Sequence, residues 1–312
     1  MKNSKLAPIV IFVYARPDHT KMTIEALSKN KFAKDTDVYI FSDAAKNEKT
    51  KSKVDETRKY IKSIAGNKYF KSTTIIEAEK NKGLANSIIS GVTKIIEKYG
   101  KVIVLEDDLL TSDNFIEYMN NALNFYKDDN KIWSISGYNV PMKVKNYPYD
   151  VYLNYRGCSW GWATWKNRWD KVDWNVSDYK NFKNNLFKRI KFNRGGNDMS
   201  QMLDSQMHGM CDSWAIRWCY QEYKENMYTI YPIKTLINNI GLDGTGTHSG
   251  FAKGFDSKLT NDEIKLVKNL IINKKIMREF KSKFSYGIKQ IIKEILTVIG
   301  IYEYIYSLRG KK

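Results

Sequence analysis

Cysteine, histidine, acidic residues and long apolar runs are all scarce in this chain. Three cysteines and three histidines occur in 312 residues. Cys158, Cys211 and Cys219 form no C-x-x-C pair and cannot all be joined as disulfides, which suits a reducing compartment. No base is identifiable beside Cys158 or Cys211, so both read as packed thiols rather than nucleophiles. No uncharged apolar run reaches the roughly 18 residues of a membrane-spanning helix. The opening MKNSKLAPIVIFVYARP carries Arg16 and lacks a small-residue cleavage site, so it reads as a first strand and not a signal peptide. Internal repeats and low-complexity linkers are also missing.

Asp plus Glu number 34 against 52 Lys plus Arg, a net charge of +18. Such a surface attracts polyanions, anionic lipid or a nucleotide diphosphate. The lysines are spread along the whole chain and no nucleic-acid-binding module appears, so nucleic acid is not the expected partner. What is abundant is core material: 42% of the residues are hydrophobic and 13% aromatic. That is ample for a globular protein of this length.

Hydrophobic patterning divides the chain into three. Over residues 1–132, β-branched runs at 8–14, 37–43, 72–78 and 101–107 alternate with helical spacing at about 19–27, 46–65 and 83–99. Strands alternating with helices predict an α/β fold with a mixed, mainly parallel sheet flanked by helices, Rossmann-like in plan. Residues 133–255 break into shorter pieces dense in tryptophan and tyrosine, expected to shape a pocket. GLDGTGTHSG at 241–250 is expected to be a mobile loop. Residues 256–312 form a lysine-rich helical tail. In it Ile291, Ile292, Ile295, Leu296, Ile299 and Tyr302 recur at helical spacing, suited either to a membrane interface or to the domain's own surface.

In a parallel sheet the ligand crevice lies beyond the carboxyl ends of the strands. The four strands place Arg16, Asp43 and the triplet Glu106-Asp107-Asp108 on that rim. Three consecutive carboxylates repel one another, which points to a divalent cation beside them, and oxygen ligands suit Mg2+ or Mn2+. A site offset only by a cation and ligand hydroxyls is expected to be poorly ordered without them. Thr111 and Ser112 are candidate caps for the helix that follows. Arg16 and Asp43 suit an anionic group and a nucleobase edge. Asn81, Lys82 and Gly83 precede a helix, where backbone donors and a lysine meet phosphate or sugar hydroxyls. Trp160, Trp162 and Trp165 are candidates for stacking on sugar faces, with at least two of them expected in the core. His19 and His208 have no partner identifiable in sequence.

The ordered segments VYARP, FSDAA, NKGLANS, VLEDDLLTSDNFIEYM, SWGWATWKNRW, DSWAIRW and GTGTHSG resemble nucleotide-sugar glycosyltransferases of the GT-A fold. They are most similar to the N-acetylglucosaminyltransferase I family and to bacterial glycosyltransferase family 2 proteins, over about residues 8–250. The resemblance implies that Arg16 and Asp43 contact the nucleotide, with Asp43 reading uracil. It implies further that Glu106 and Asp107 touch sugar and ribose, and that Asp108 ligates Mn2+ or Mg2+. Lys82, Gly83 and His248 would complete the nucleotide-sugar site. Trp160, Trp162 and Trp214 would face acceptor or sugar.

The family's catalytic-base segment matches Cys211-Asp212-Ser213-Trp214, with Asp212 as base. Cys211 stands where the family has an aromatic residue, and the SWGWATW stretch is richer in tryptophan than in the eukaryotic relatives. Both departures bear on donor sugar and acceptor. A tryptophan-lined Asp212 is expected to be poorly solvated and so a stronger base. It also reads as a helix N-cap.

The expected activity is inverting, metal-dependent transfer from a UDP-sugar to a glycan or lipid-linked glycan in bacterial surface polysaccharide synthesis. The expected location is cytoplasmic, peripheral on the inner membrane face through the C-terminal helix. A nucleotidyltransferase shares the acidic metal ligands, but usually needs a glycine-rich phosphate loop after the first strand, and YARPDHT has none.

Overall fold

The computed structural model describes residues 5–66, 68–244, 255, 258–284 and 296–297. In chain order the first half runs β1 (Ile9–Val13), α1 (Pro17–Ser28), β2 (Asp37–Ser42), α2 (Glu48–Ile64), β3 (Ser72–Glu77), α3 (Leu84–Tyr99), β4 (Lys101–Glu106), β5 (Leu109–Thr111) and α4 (Phe115–Phe125). Next come β6 (Ile132–Ser136), β7 (Val151–Asn154), β8 (Trp162–Trp165), α5 (Lys166–Trp169), α6 (Tyr179–Lys183), α7 (Leu186–Phe192), α8 (Met199–Met207) and α9 (Trp214–Lys224). The described elements end with β9 (Tyr228–Pro232), β10 (Ile237–Asn239) and α10 (Lys274–Ser282).

Eight strands make one sheet in the order β3-β2-β1-β4-β8-β6-β9-β7, and β5 pairs with β10 in a separate ribbon. β3, β2, β1 and β4 are mutually parallel. β8 runs antiparallel to both β4 and β6. The tryptophan-rich half therefore continues the same sheet through β6, β7, β8 and β9, with α5 to α9 between β8 and β9.

Strand alternation explains the two-sided core. Ile9, Ile11 and Val13 face one apolar layer together with Ile24, Leu27, Phe115 and Met119, beneath α1 and α4. Val10 and Phe12 face the other layer with Ala85, Ile88 and Val92 of α3. That second layer holds Trp133, Trp162, Trp169, Trp214 and Trp218. A smaller core of Phe182, Phe192, Met199, Leu203, Ile216 and Tyr220 joins α6 to α9.

One local expectation is corrected. Thr111 ends β5, and the residue capping α4 is Asn114, whose Oδ1 accepts from Ser112 Oγ at 2.8 Å. The intervening ribbon displaces the helix start by three residues. In the tail, α10 buries Ile276, Met277 and Phe280 against the domain. The helical repeat from Ile291 to Tyr302 lies outside the described residues, apart from Leu296. Among the described residues no helix is long and apolar enough to cross a membrane.

Candidate active site

The parallel strands β1, β2 and β4 end on one rim, so Arg16, Asp43 and Glu106-Asp107-Asp108 meet at a cleft of about 930 Å3. That volume suits a ligand of several rings. At the end of β1 the Tyr14 amide donates to Asp107 Oδ2 at 3.2 Å. Arg16 then occupies the position before Pro17, which opens α1 with its fixed φ and no amide to satisfy. From there the Arg16 guanidinium turns back onto the triplet. Its Nη1 donates to Asp108 Oδ2 at 2.7 Å and lies 3.8 Å from Asp107 Oδ1.

The repulsion among the three carboxylates is therefore offset in part from within the chain, by Arg16. Burial, then Asp108 and Asp107, push the Glu106 carboxyl well above its ordinary range, against the pull of Arg16. Burial, then Asp108, push Asp107 up to about 7, opposed by Arg16 and by the Tyr14 amide. Asp107 can thus donate a hydrogen bond as well as accept one near neutral pH.

The β5–β10 ribbon brings a second segment to the same place. The Ile240 amide donates to the Asp108 carbonyl at 2.9 Å, and the Gly241 amide to Asn239 Oδ1 at 2.7 Å. A Cβ on Gly241 would fall on the Asp108 carboxylate and lie 2.9 Å from Arg16 Nη1. Only glycine permits that approach. Arg16 Nη2 also reaches the Gly241 carbonyl at 3.4 Å and Asp243 at 3.6 Å, and His19 Nε2 lies 3.2 Å from Asp243. The first four residues of the glycine-rich loop are thus an anchored turn, and His19 has its partner. His248 lies outside the described residues.

Asp43 follows β2 and is almost buried. Its Oδ1 accepts from the amides of Ala44 at 2.8 Å and Lys82 at 2.9 Å. Its Oδ2 accepts from Gly83 N at 2.9 Å and Asn81 Nδ2 at 3.1 Å. A carboxylate has about four lone-pair sites, and here the chain fills them. Asp43 therefore ties β2 to the start of α3 while lining the cleft. Gly83, at φ +75°, faces the cleft in a backbone conformation that favours glycine. The exposed Lys82 is not among the cleft-lining residues.

The opposite wall is built by α8, α9 and the turn between them. Ser213 caps α9 by accepting from the Ile216 amide at 3.3 Å, so the cap is Ser213 and not Asp212. That frees Asp212 for the cleft, where its Oδ2 is 4.0 Å from the position a Gly83 Cβ would take. Arg217 Nη2 holds Asp212 Oδ1 at 3.2 Å. The Asp212 side chain is 53% exposed, so the expectation of a poorly solvated carboxylate is also corrected.

Trp214 is buried and edges the cleft, and Trp160 lines it beside Tyr138. Trp162 does not reach it. That ring is fully buried, 5.1 Å from Trp214 and 5.4 Å from Trp218 between centroids, and belongs to the core. Trp165 is buried too, donating from Nε1 to the Leu123 carbonyl.

Several cleft residues escaped sequence reasoning. Gln201 on α8 is 8% exposed, lines the cleft, and its Nε2 has no partner among the described residues. A buried amide with open donors is costly unless a ligand supplies the acceptor. Asn239, Gly241 and Arg217 were missed as well. The only available signal was the acid-and-glycine pattern around NNIGLDG, since the partners of these residues are far away in sequence.

Among the described residues no three His, Cys, Asp or Glu side chains are arranged to enclose a metal. The donor chemistry fits a divalent ion bound by one protein carboxylate, Asp108, with the rest of its shell from ligand oxygens and water.

The chain matches the model of the GNT-I family over residues 1–189, more than half its length, and belongs to that family of glycosyltransferases. No curated protein matches it in sequence. Among solved structures it is similar to S. aureus TarS, at 10% identity and TM-score 0.42, over 74% of this chain and 36% of that one. A shorter TarS structure, residues 1-349, gives the same identity and TM-score and is covered over 59% of its length. The mannosyltransferase PcManGT from Pyrobaculum calidifontis, solved with GDP-Man and Mn2+, is similar at 11% identity and TM-score 0.36, over 55% of this chain and 50% of that one. The chain thus spans between about a third and three-fifths of the length of these proteins.

Proposed function

We propose that this chain is an inverting glycosyltransferase that moves N-acetylglucosamine or a related hexose from a UDP-sugar to a glycan acceptor, in bacterial surface polysaccharide synthesis. The observation that carries the reading is one cleft with an acidic rim and Arg16 on one wall and Asp212 on the other. A glycan carried on a lipid is the acceptor class we favour, handled at the cytoplasmic face of the membrane.

In this mechanism the acceptor hydroxyl oxygen attacks the anomeric carbon as the bond from that carbon to the diphosphate oxygen breaks. The hydroxyl proton passes to the Asp212 carboxylate, and the nucleoside diphosphate leaves with the electron pair. One displacement inverts the anomeric centre. Arg217 orients Asp212, a task that its 3.2 Å contact suits. Glu106 and Asp107 receive donor hydroxyls, and Arg16 meets the anionic nucleotide. Asp43 acts by shaping the 81–83 turn that lines the nucleotide end. Gln201 and Trp160 offer an amide donor and a ring face to a sugar. Mn2+ or Mg2+ held by Asp108 would neutralise charge on the departing diphosphate.

The test is Asp212→Asn. It should retain UDP binding and lose transfer by about 10²- to 10⁴-fold, the usual contribution of a general base. Full transfer by that variant, measured across a panel of UDP-sugars with Mn2+, would sink the assignment.

A further inference from the structure

Among the described residues, ten large apolar side chains are exposed, and three of them sit on one two-turn helix. On α7, Phe187 is 84% exposed, Ile190 58% and Leu186 37%. Scattered apolar side chains on a surface need no explanation, but a cluster does. Helical spacing puts these three on one face, while Arg189 and Phe192 point the other way into the protein. The inner face is secured: Arg189 makes a bidentate pair with the buried Asp204 at 2.9 and 2.7 Å, and Phe192 packs on Phe182 and Tyr220. Among the described residues the outer face has no packing partner.

Charge around this face is of one sign. From Tyr179 to Arg194 there are six Lys and Arg and no Asp or Glu. Lys180, Lys188 and Lys191 are exposed, with Lys188 reaching the Asn181 carbonyl and Lys191 lying over the Tyr223 ring.

We infer that the α6–α7 face docks on an anionic phospholipid bilayer, with Phe187 and Ile190 entering the acyl boundary and the lysines meeting headgroup phosphates. An apolar stripe flanked by lysines is the pattern of an interfacial helix. A second copy of this chain fits worse, because a two-fold contact would set the same lysines against themselves. Nucleic acid would leave the aliphatic Leu186 and Ile190 without a role. The consequence for the cleft is geometric: α7 packs on α8, which carries Gln201, Met202 and Ser205 into the cleft wall. Docking here holds that wall at the bilayer, whatever the chemistry in the cleft.

The full chain should co-sediment with phosphatidylglycerol vesicles and not with phosphatidylcholine vesicles. Phe187→Ser with Ile190→Ser should lower vesicle affinity by at least about tenfold, and Lys188→Glu with Lys191→Glu by a similar factor. All variants change exposed side chains, so unchanged thermal melting confirms that each is folded. The inference is overturned if the Phe187→Ser, Ile190→Ser protein binds vesicles as the unmodified chain does. It is also overturned if the unmodified chain ignores phosphatidylglycerol, or if sedimentation velocity shows a dimer that this variant dissolves.

Discussion

Arg16 is the chain's own counter-cation for the acidic triplet, and replacing it by methionine tests that role. The substitution keeps an unbranched side chain of similar reach and removes the guanidinium. Lost with it are the 2.7 Å bond to Asp108, the 3.8 Å approach to Asp107, the bond to the Gly241 carbonyl and the approach to Asp243. A hydrogen bond to a charged group is worth about 1.5–3 kcal/mol, and breaking a fully buried ion pair costs about 3–5 kcal/mol. The side chains of Arg16 and Asp108 are 16% and 14% exposed, between those cases. Arg16→Met should therefore lower stability by about 2–4 kcal/mol at neutral pH, read from urea unfolding in the presence of EDTA.

The same variant separates a structural arginine from a placeholder for a metal. In the unmodified chain a divalent ion must compete with Arg16 for Asp108; in Arg16→Met it need not. At about 100 times its dissociation constant, Mn2+ should return about 2.7 kcal/mol to the variant, and less to the unmodified protein. Unfolding of Arg16→Met at the same urea concentration as the unmodified chain would refute the counter-cation role. Equal stabilisation of both proteins by Mn2+ would refute the competition.

Other perturbations follow from single contacts. Gly241→Ala puts a methyl group on the Asp108 carboxylate, so it should cost about 1–3 kcal/mol of stability and reduce transfer at least tenfold; retention of full activity would show that Asp108 need not hold its place. Burial pushes the Glu222 carboxyl up to about 8, against the Thr229 hydroxyl that donates to it at 2.8 Å. A raised carboxyl contributes stability that is complete below about pH 4.5 and is lost as pH rises to about 8. Glu222→Gln removes that titration. The variant should therefore gain on the unmodified protein between pH 5 and pH 8 in urea unfolding, and a pH-independent difference would contradict the buried, protonated glutamate.

Strand ends were legible because β-branched runs and their polar breaks are local signals. The run at 8–14 became Ile9–Val13, and that at 101–107 became Lys101–Glu106. What each rim residue is bonded to was not legible. The partners of Arg16 lie 92 and 225 residues away, at Asp108 and Gly241. The amides that hold Asp43 in place belong to residues about 40 positions later, beyond any local signal. Trp162 and Trp160 stand two residues apart in one aromatic stretch. Gly161, at φ +64°, turns the chain between them, leaving Trp160 at the cleft and Trp162 in the core.

Asp212 carries the largest departure from expectation, and its exposure has a consequence for how transfer would be controlled. A carboxylate 53% open to water is hydrated until something displaces that water. Arg217 fixes one oxygen, while the other lies beside Gly83, 4.0 Å from where a Cβ of that residue would stand. Trp162 and Trp218 are fully buried in the core and leave Asp212 this open. The group best placed to strip its water is an acceptor sugar seated between the walls. On this geometry the base is completed by the acceptor itself, so a bound donor alone should be hydrolysed slowly. Adding acceptor should then accelerate release of UDP far more than it tightens binding of the donor. Rapid UDP release from donor and Mn2+ alone, at the rate seen with acceptor, would show that Asp212 is not waiting for an acceptor to desolvate it.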